Sequence, residues 1–203
     1  MIKTLIFDFG DVFINLDKVG AMKNALRLFK LNTFSKEMTA CNEAYEQGHI
    51  SSEEFIGFYK NEFGDLNETE ILDAWNFILR DFPMHRLEFI KQLASDKKFQ
   101  LILLSNTNAL HIKWIQEQVP FYDVFKGQFD QFYLSHEIQL RKPNHSIYQF
   151  VLETNNLDPE SCLFIDDTEE NILAASELGI HTWHINPEKD DIVHLFEVKK
   201  ELF

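Results

Sequence analysis

Apolar and polar positions along the chain fall into two regimes. Residues 3–8, Lys-Thr-Leu-Ile-Phe-Asp, form a short apolar run that ends on a carboxylate, the pattern of a buried strand. From about residue 18 to residue 80 the period lengthens. Val19, Met22, Leu26 and Phe29 recur at helical spacing, and Phe55, Phe58, Tyr59 and Phe63 line one face of a second helix. Ser51 followed by Glu54, and Asn67 followed by Glu70, are helix start signals of the capping-box type. No strand pattern interrupts this stretch. Three or four helices are therefore expected, packed as a small lobe with Tyr45, Phe55, Phe58 and Trp75 joining them.

After Pro83 the pattern changes again. It predicts helices at about 84–95, 108–118, 143–154 and 169–178, alternating with strands at 99–104, 129–134, 162–165 and 181–185. A charged, partly helical tail follows. Alternation at these lengths predicts an α/β fold with a Rossmann-like parallel sheet covered on both faces. The expected organisation is a core of residues 1–17 and 82–203, with a helical domain of residues 18–81 inserted after the first strand. There is no internal repeat and no low-complexity linker.

Composition narrows the function classes. The 203 residues suffice for one core and a small accessory lobe. The balance of 33 acidic against 19 basic side chains, a formal charge of −14, argues against nucleic acid as a partner. It leaves room for a small phosphate ester, because one metal ion and one lysine can reverse the local field. Cys41 and Cys162 are far apart and fit neither a disulfide framework nor a metal motif. Met1-Ile2-Lys3 leads directly into the first strand with no secretory pattern, and no apolar stretch reaches membrane-spanning length. The expectation is a cytoplasmic protein, monomer or homodimer, whose partner is a small phosphorylated metabolite rather than nucleic acid or membrane.

The chemistry gathers where the strands end. The first ends at Asp8, with Gly10 allowing a sharp turn. The second ends at Ser105-Asn106-Thr107-Asn108, the third precedes Arg141-Lys142-Pro143, and the fourth ends at Asp166-Asp167. In open parallel sheets, ligands bind outside the carboxyl ends of the strands. Asp8 and Asp167 offer hard oxygen ligands suited to Mg²⁺, with the Gly10 carbonyl as a further oxygen. Asp166 and Asn171 could hold metal-bound waters. Ser105 and the Asn106 backbone N–H can donate to phosphoryl oxygens, and Lys142 places a positive charge on the same group. Asp8 could then attack phosphorus and form an aspartyl-phosphate. Arg141 reads as a surface residue, and the eight histidines show no metal-ligand spacing.

These segments resemble the four motifs of the haloacid dehalogenase-like hydrolase superfamily: Phe7-Asp8-Phe9-Gly10-Asp11-Val12, Leu104-Ser105-Asn106, Arg141-Lys142-Pro143, and Phe164-Ile165-Asp166-Asp167 with Asn171. The stretches Gly48–Phe55 and Asn171–Ile180 extend the similarity to nearly the whole chain. The insertion after the first motif resembles the helical type 1 cap. Within the superfamily the chain is similar to alpha-D-glucose-1-phosphate phosphatase-type sugar phosphatases and to the N-terminal phosphatase domain of soluble epoxide hydrolases. The resemblance implies a Mg²⁺-dependent phosphatase. Asp8 would be its nucleophile, and Asp8, Gly10 and Asp167 its metal ligands. Ser105, Asn106 and Lys142 would hold the phosphoryl group.

One position departs from the pattern. Phosphatases of this family typically carry a second Asp two residues after the nucleophile, as general acid and base. Here Gly10 stands there and Asp11 follows. Either Asp11 or another group substitutes, or turnover of unactivated esters is modest, since such proton transfer is worth about 10²–10⁴-fold. The rival expectations are a 2-haloacid dehalogenase, which needs no metal, and a catalytically weak relative that binds a phosphorylated ligand or a protein partner.

Overall fold

All four side chains of β1 (Thr4–Phe7) are buried. A strand apolar on both faces belongs inside a sheet that is covered on both sides. In the computed structural model, which describes residues 1–203, β1 is the central strand of a five-stranded, all-parallel sheet. The other strands are β2 (Gln100–Ser105), β3 (Gln131–Leu134), β4 (Cys162–Asp166) and β5 (His181–His184), in the order β3-β2-β1-β4-β5. The order reverses at β1, which creates a crevice at the carboxyl edge. Register aligns the strand ends there, with Phe7 opposite Leu103 on one side and Ile165 on the other.

Each sheet face has its own apolar cluster. On one, Leu5, Phe7 and Leu103 pack with α5 (Met84–Asp96), α6 (Ala109–Gln118) and α7 (Tyr122–Lys126). On the other, Ile6, Ile102 and Phe164 pack with α9 (His145–Thr154) and α10 (Glu169–Ser176). The alternation of side chains along each strand divides them between the two clusters. The α/β expectation holds. The short helices α7 and α8 (Ser135–Ile138) were not foreseen, because four or five residues complete too little of a helical period to register.

Between β1 and α5 run α1 (Lys18–Phe29), α2 (Lys36–Glu46), α3 (Ser52–Glu62) and α4 (Glu68–Asn76), with no strand among them. They share a third cluster that contains Phe29, Met38, Tyr45, Phe55, Tyr59 and Ile71. Tyr45 stacks on Phe55 at 4.3 Å and Phe29 on Phe63 at 4.5 Å between ring centroids. Both capping boxes form, at Ser51/Glu54 and Asn67/Glu70. The stripe read on α1 is only half used. Ala25 and Phe29 point inward, whereas Val19 and Met22 are 65% and 48% exposed. Helical spacing reports that residues share a face; it does not report how far along that face a neighbour extends. No helix is long and apolar enough to cross a membrane.

Candidate active site

The chain leaves β1 through a hook. The Asp8 amide donates to the Ile165 carbonyl at 2.9 Å, extending the ladder by one residue. The Phe13 and Ile14 amides then both donate to the Phe9 carbonyl, and the Asp11 amide donates to the Ile14 carbonyl at 2.7 Å. Asp11 takes a left-handed conformation (φ 55), which Asp tolerates better than most residues. Its carboxylate accepts from the Leu16 amide at 2.8 Å and pairs with Lys18 at 3.0 Å. Asp11 is thus committed to the turn and lies outside the cavity lining. The hook leaves the Phe9 and Gly10 amides without an internal acceptor and the Gly10 carbonyl without an internal donor. Both residues line a cavity of about 330 Å³ at the carboxyl edge of the sheet.

Lys142 is the pivot. It is buried, yet its ammonium has three acceptors: Asp8 Oδ1 at 2.9 Å, Asp166 Oδ2 at 2.6 Å and the Leu104 carbonyl at 2.8 Å. The Asn106 side chain fixes the Lys142 backbone in both directions, Nδ2 donating to its carbonyl at 2.8 Å and Oδ1 accepting from its amide at 2.9 Å. The end of β2 is thereby stitched to the loop before α9. Asn106 keeps a backbone N–H with no internal acceptor, while the nearly buried Ser105 hydroxyl has only a long contact of 3.5 Å with the Asn106 carbonyl.

Asp166 is fully buried at the end of β4 and fully satisfied. Besides Lys142 it accepts from Asn171 Nδ2 at 3.0 Å on both oxygens and from the Thr168 amide at 2.8 Å. Asp167, one residue on, pairs with Lys18 from the start of α1. Carboxylate oxygens of Asp8, Asp166 and Asp167 lie within 4.8 Å of one another. Four carboxylates, counting Asp11, meet two ammoniums, so two negative charges are uncompensated when all are ionised. Hard oxygen donors with excess negative charge fit a divalent cation such as Mg²⁺.

The same charges tune the acids. Burial raises the proton affinity of Asp8, the Lys142 ammonium lowers it, and the Asp166 and Asp167 carboxylates raise it again. The balance lies above the ordinary carboxylate range. Asp167 is also raised, by burial first, with Lys18 opposing. For Lys142, burial works against the charge, but Asp166 and Asp8 prevail and the ammonium is held firmly.

All the residues expected at the strand ends converge: Asp8, Gly10, Ser105, Asn106, Lys142 and Asp167 line the cavity, with Asp166 immediately behind and Asn171 bound to it. Several lining residues stand outside the sequence expectation, with Lys18, Glu46, His111, Arg141 and Glu170 the ionisable ones. Lys18 arrives from α1 and Glu46 from the end of α2. His111 comes from α6, with Nε2 at 3.2 Å from the Trp75 carbonyl and Nδ1 at 3.1 Å from Asn108 Nδ2. Arg141, expected at the surface, is half-buried and pairs with Glu46 through Nε at 3.0 Å. Arg141 lies within the Arg141-Lys142-Pro143 motif, which marks Lys142 rather than Arg141, and the others belong to no local motif. Tyr45, Phe55 and Phe58 pack in the helical insertion and do not line the cavity.

Comparison with known proteins agrees with this geometry. The family model for haloacid dehalogenase-like hydrolases matches residues 2–179. A D-ribitol-5-phosphate phosphatase from Bacteroides thetaiotaomicron is 28% identical over 198 residues, covering 90% of this chain and 91% of the relative. A HAD family enzyme from Bacteroides thetaiotaomicron, solved as wild-type protein with magnesium and inorganic phosphate, superimposes with a TM-score of 0.83 at 34% identity, covering 97% of this chain and 100% of the other. A HAD-like family hydrolase from Porphyromonas gingivalis gives a TM-score of 0.81 at 25% identity over 100% of this chain and 98% of the other. With strand-end chemistry, topology and a match across most of its length in agreement, the chain belongs to the haloacid dehalogenase-like hydrolase family.

Proposed function

We propose that this enzyme is a Mg²⁺-dependent phosphomonoesterase acting on a small sugar or polyol phosphate in the cytoplasm. The observation that carries the reading is the Asp8–Lys142–Asp166 chain at the floor of the cavity, beside the unpaired amides of Phe9, Gly10 and Asn106. Asp8, the Gly10 carbonyl and Asp167 would hold the metal, with Asp166 and Asn171 behind them. A bound Mg²⁺ would neutralise charge on the phosphoryl oxygens.

In this reading an Asp8 carboxylate oxygen bonds to phosphorus while the bond from phosphorus to the ester oxygen breaks, and the departing oxygen takes a proton from solvent water to leave as the alcohol. Water then attacks the aspartyl-phosphate, freeing inorganic phosphate and restoring Asp8. Lys142 stabilises the oxygens on which negative charge develops, and Ser105 with the three free amides supplies donors to the same group. Asn106 keeps Lys142 in place through its backbone. Residues 18–81 act as a cap over the core of residues 1–17 and 82–203, a role supported by Lys18, Glu46, Ile78 and Leu79 in the cavity wall. No carboxyl stands at position 10 to protonate the leaving oxygen, so esters with good leaving groups turn over faster. Similarity to a D-ribitol-5-phosphate phosphatase and to a HAD family enzyme solved with magnesium and inorganic phosphate, both from Bacteroides thetaiotaomicron, supports this substrate class.

The test is phosphate release from p-nitrophenyl phosphate and a sugar-phosphate panel, with Mg²⁺ and with a chelator. Activity that depends on Mg²⁺ and is lost in Asp8→Asn is expected. Undiminished activity in the chelator or in Asp8→Asn overturns the covalent, metal-assisted mechanism, and halide release from 2-chloropropionate in place of phosphate release would favour dehalogenation.

A further inference from the structure

One wall of the cavity carries an ion pair with unused hydrogen-bonding capacity. Arg141 Nε donates to Glu46 Oε2 at 3.0 Å, and both side chains are 27% exposed. The terminal guanidinium nitrogens of Arg141 and the second carboxylate oxygen of Glu46 have no other side-chain or backbone partner in the protein. A part-exposed pair of this kind contributes little as a brace between lobes. The joint is also secured nearby by other means: the Ser135 hydroxyl lies 2.6 Å from the Glu46 carbonyl, and the Tyr45 hydroxyl accepts from the Leu110 amide at 3.1 Å.

The position of the pair matters. Arg141 adjoins Lys142, whose ammonium reaches Asp8, so the pair stands one residue along the chain from the floor of the site. Most other wall groups are spent or apolar; Glu170, in the first turn of α10, is an exposed lining carboxylate without a partner, an acceptor with no donor held beside it. Both His111 ring nitrogens are engaged, Lys18 is held by Asp11 and Asp167, and Leu16, Ile78 and Leu79 offer only hydrocarbon. A free carboxylate oxygen beside free guanidinium N–H groups presents an acceptor next to donors, the pattern that matches neighbouring hydroxyls on a carbon chain.

We infer that the Glu46–Arg141 pair recognises the hydroxylated carbon chain of the substrate, Glu46 accepting from one hydroxyl and Arg141 donating to another. The pair thereby selects polyol phosphates over phosphate esters that lack hydroxyls. This rests on the phosphatase reading and extends it from the phosphoryl group to the rest of the substrate.

Steady-state kinetics on a pentitol 5-phosphate and on p-nitrophenyl phosphate test it, in wild type, Glu46→Gln, Arg141→Met and Arg141→Lys. In Glu46→Gln and Arg141→Met, the ratio of kcat/KM for the pentitol phosphate to that for the aryl phosphate should fall about 10-fold or more, mainly through KM for the pentitol phosphate. Arg141→Lys should recover part of that ratio. A ratio changed by less than about 2-fold, with both substrates losing equally as a lost brace would cause, overturns the inference. So does a wild type active on the aryl phosphate and inert on pentitol phosphates, a result that leaves the phosphatase reading standing. A wild type inert on both refutes the phosphatase reading itself.

Discussion

Gly10 and Leu16 explain each other. A Cβ built at Gly10 would lie 2.6 Å from Leu16 Cδ1, so the space for a side chain at position 10 is occupied by the Leu16 methyl. Asp11, the nearest carboxyl in sequence, is turned away and held by the Leu16 amide and Lys18. An acid restored at position 10 therefore meets the end of the Leu16 side chain, which must shift to admit it. Gly10→Asp alone should raise kcat on an alkyl phosphate less than the double variant does, because part of the gain is offset by displacing the Leu16 methyl. Gly10→Asp with Leu16→Ala should raise it by about 10-fold or more, the low end of what positioned proton transfer contributes or below. Equal kcat in the two variants would show that Leu16 is not the obstacle. Asn106 makes a second prediction at this scale. Its removal in Asn106→Ala leaves the Lys142 amide and carbonyl unpaired in a buried setting. Chemical denaturation should register a loss of about 1–3 kcal/mol. Since the Lys142 backbone would lose its anchor and its ammonium would sit less firmly against Asp8, kcat should fall more than KM rises.

At the scale of elements, local signals and packing divide the work. Ser51 and Asn67 start α3 and α4 by accepting from the amides of Glu54 and Glu70, whose side chains return the bond. Such a box involves residues within one turn of each other, which is why it was legible in the sequence. Ser51→Ala should cost about 1 kcal/mol of stability, read as a lower denaturation midpoint with the denaturant slope unchanged. A cost near zero would mean that tertiary packing alone holds the start of α3. By contrast, the apolar stripe of α1 was equally legible, but only its C-terminal half is buried. Periodicity specifies a face, and the extent to which that face is covered depends on elements elsewhere in the chain.

At the scale of the molecule, the helical insertion and the sheet meet through a mixed joint. Trp75 from α4 stacks on His111 from α6 at 5.2 Å, donates from Nε1 to Asn108 at 3.2 Å, and accepts at its carbonyl from His111. Leu110 of α6 packs into the insertion's own cluster. Burial depresses the His111 pKa from 6.5 to about 4, with the Trp75 carbonyl opposing and His136 adding to the depression. The unfolded chain therefore binds this proton more readily than the folded one between those values. The contribution is intact above pH about 6.5 and is lost as pH falls towards about 4, up to about 3 kcal/mol. Stability of wild type and His111→Gln, measured at pH 7 and pH 4.5, should show a smaller drop in the variant. An equal drop would assign the pH dependence to other groups.

What the sequence by itself determined was the order of strands and helices and the chemistry at each strand end. Those properties are local: a buried strand announces itself in a handful of residues, and a parallel α/β sheet brings every strand's carboxyl end to one edge whatever lies between. Asp8, Ser105 and Asp167 could be found because each ends or adjoins a strand that its own neighbours specify, and Lys142 because it stands before Pro143 in the loop that follows β3 and α8. Only the tertiary structure decided the rest of the site. Arg141 meets Glu46 across 95 positions and Lys18 meets Asp167 across 149, and no periodicity records contacts at such separations. The same holds for Asp11, drawn into the turn by Lys18, and for Gly10, whose missing side chain leaves space that Leu16 fills. These depend on how the insertion settles against the sheet, and that is set by packing among residues distant in the chain.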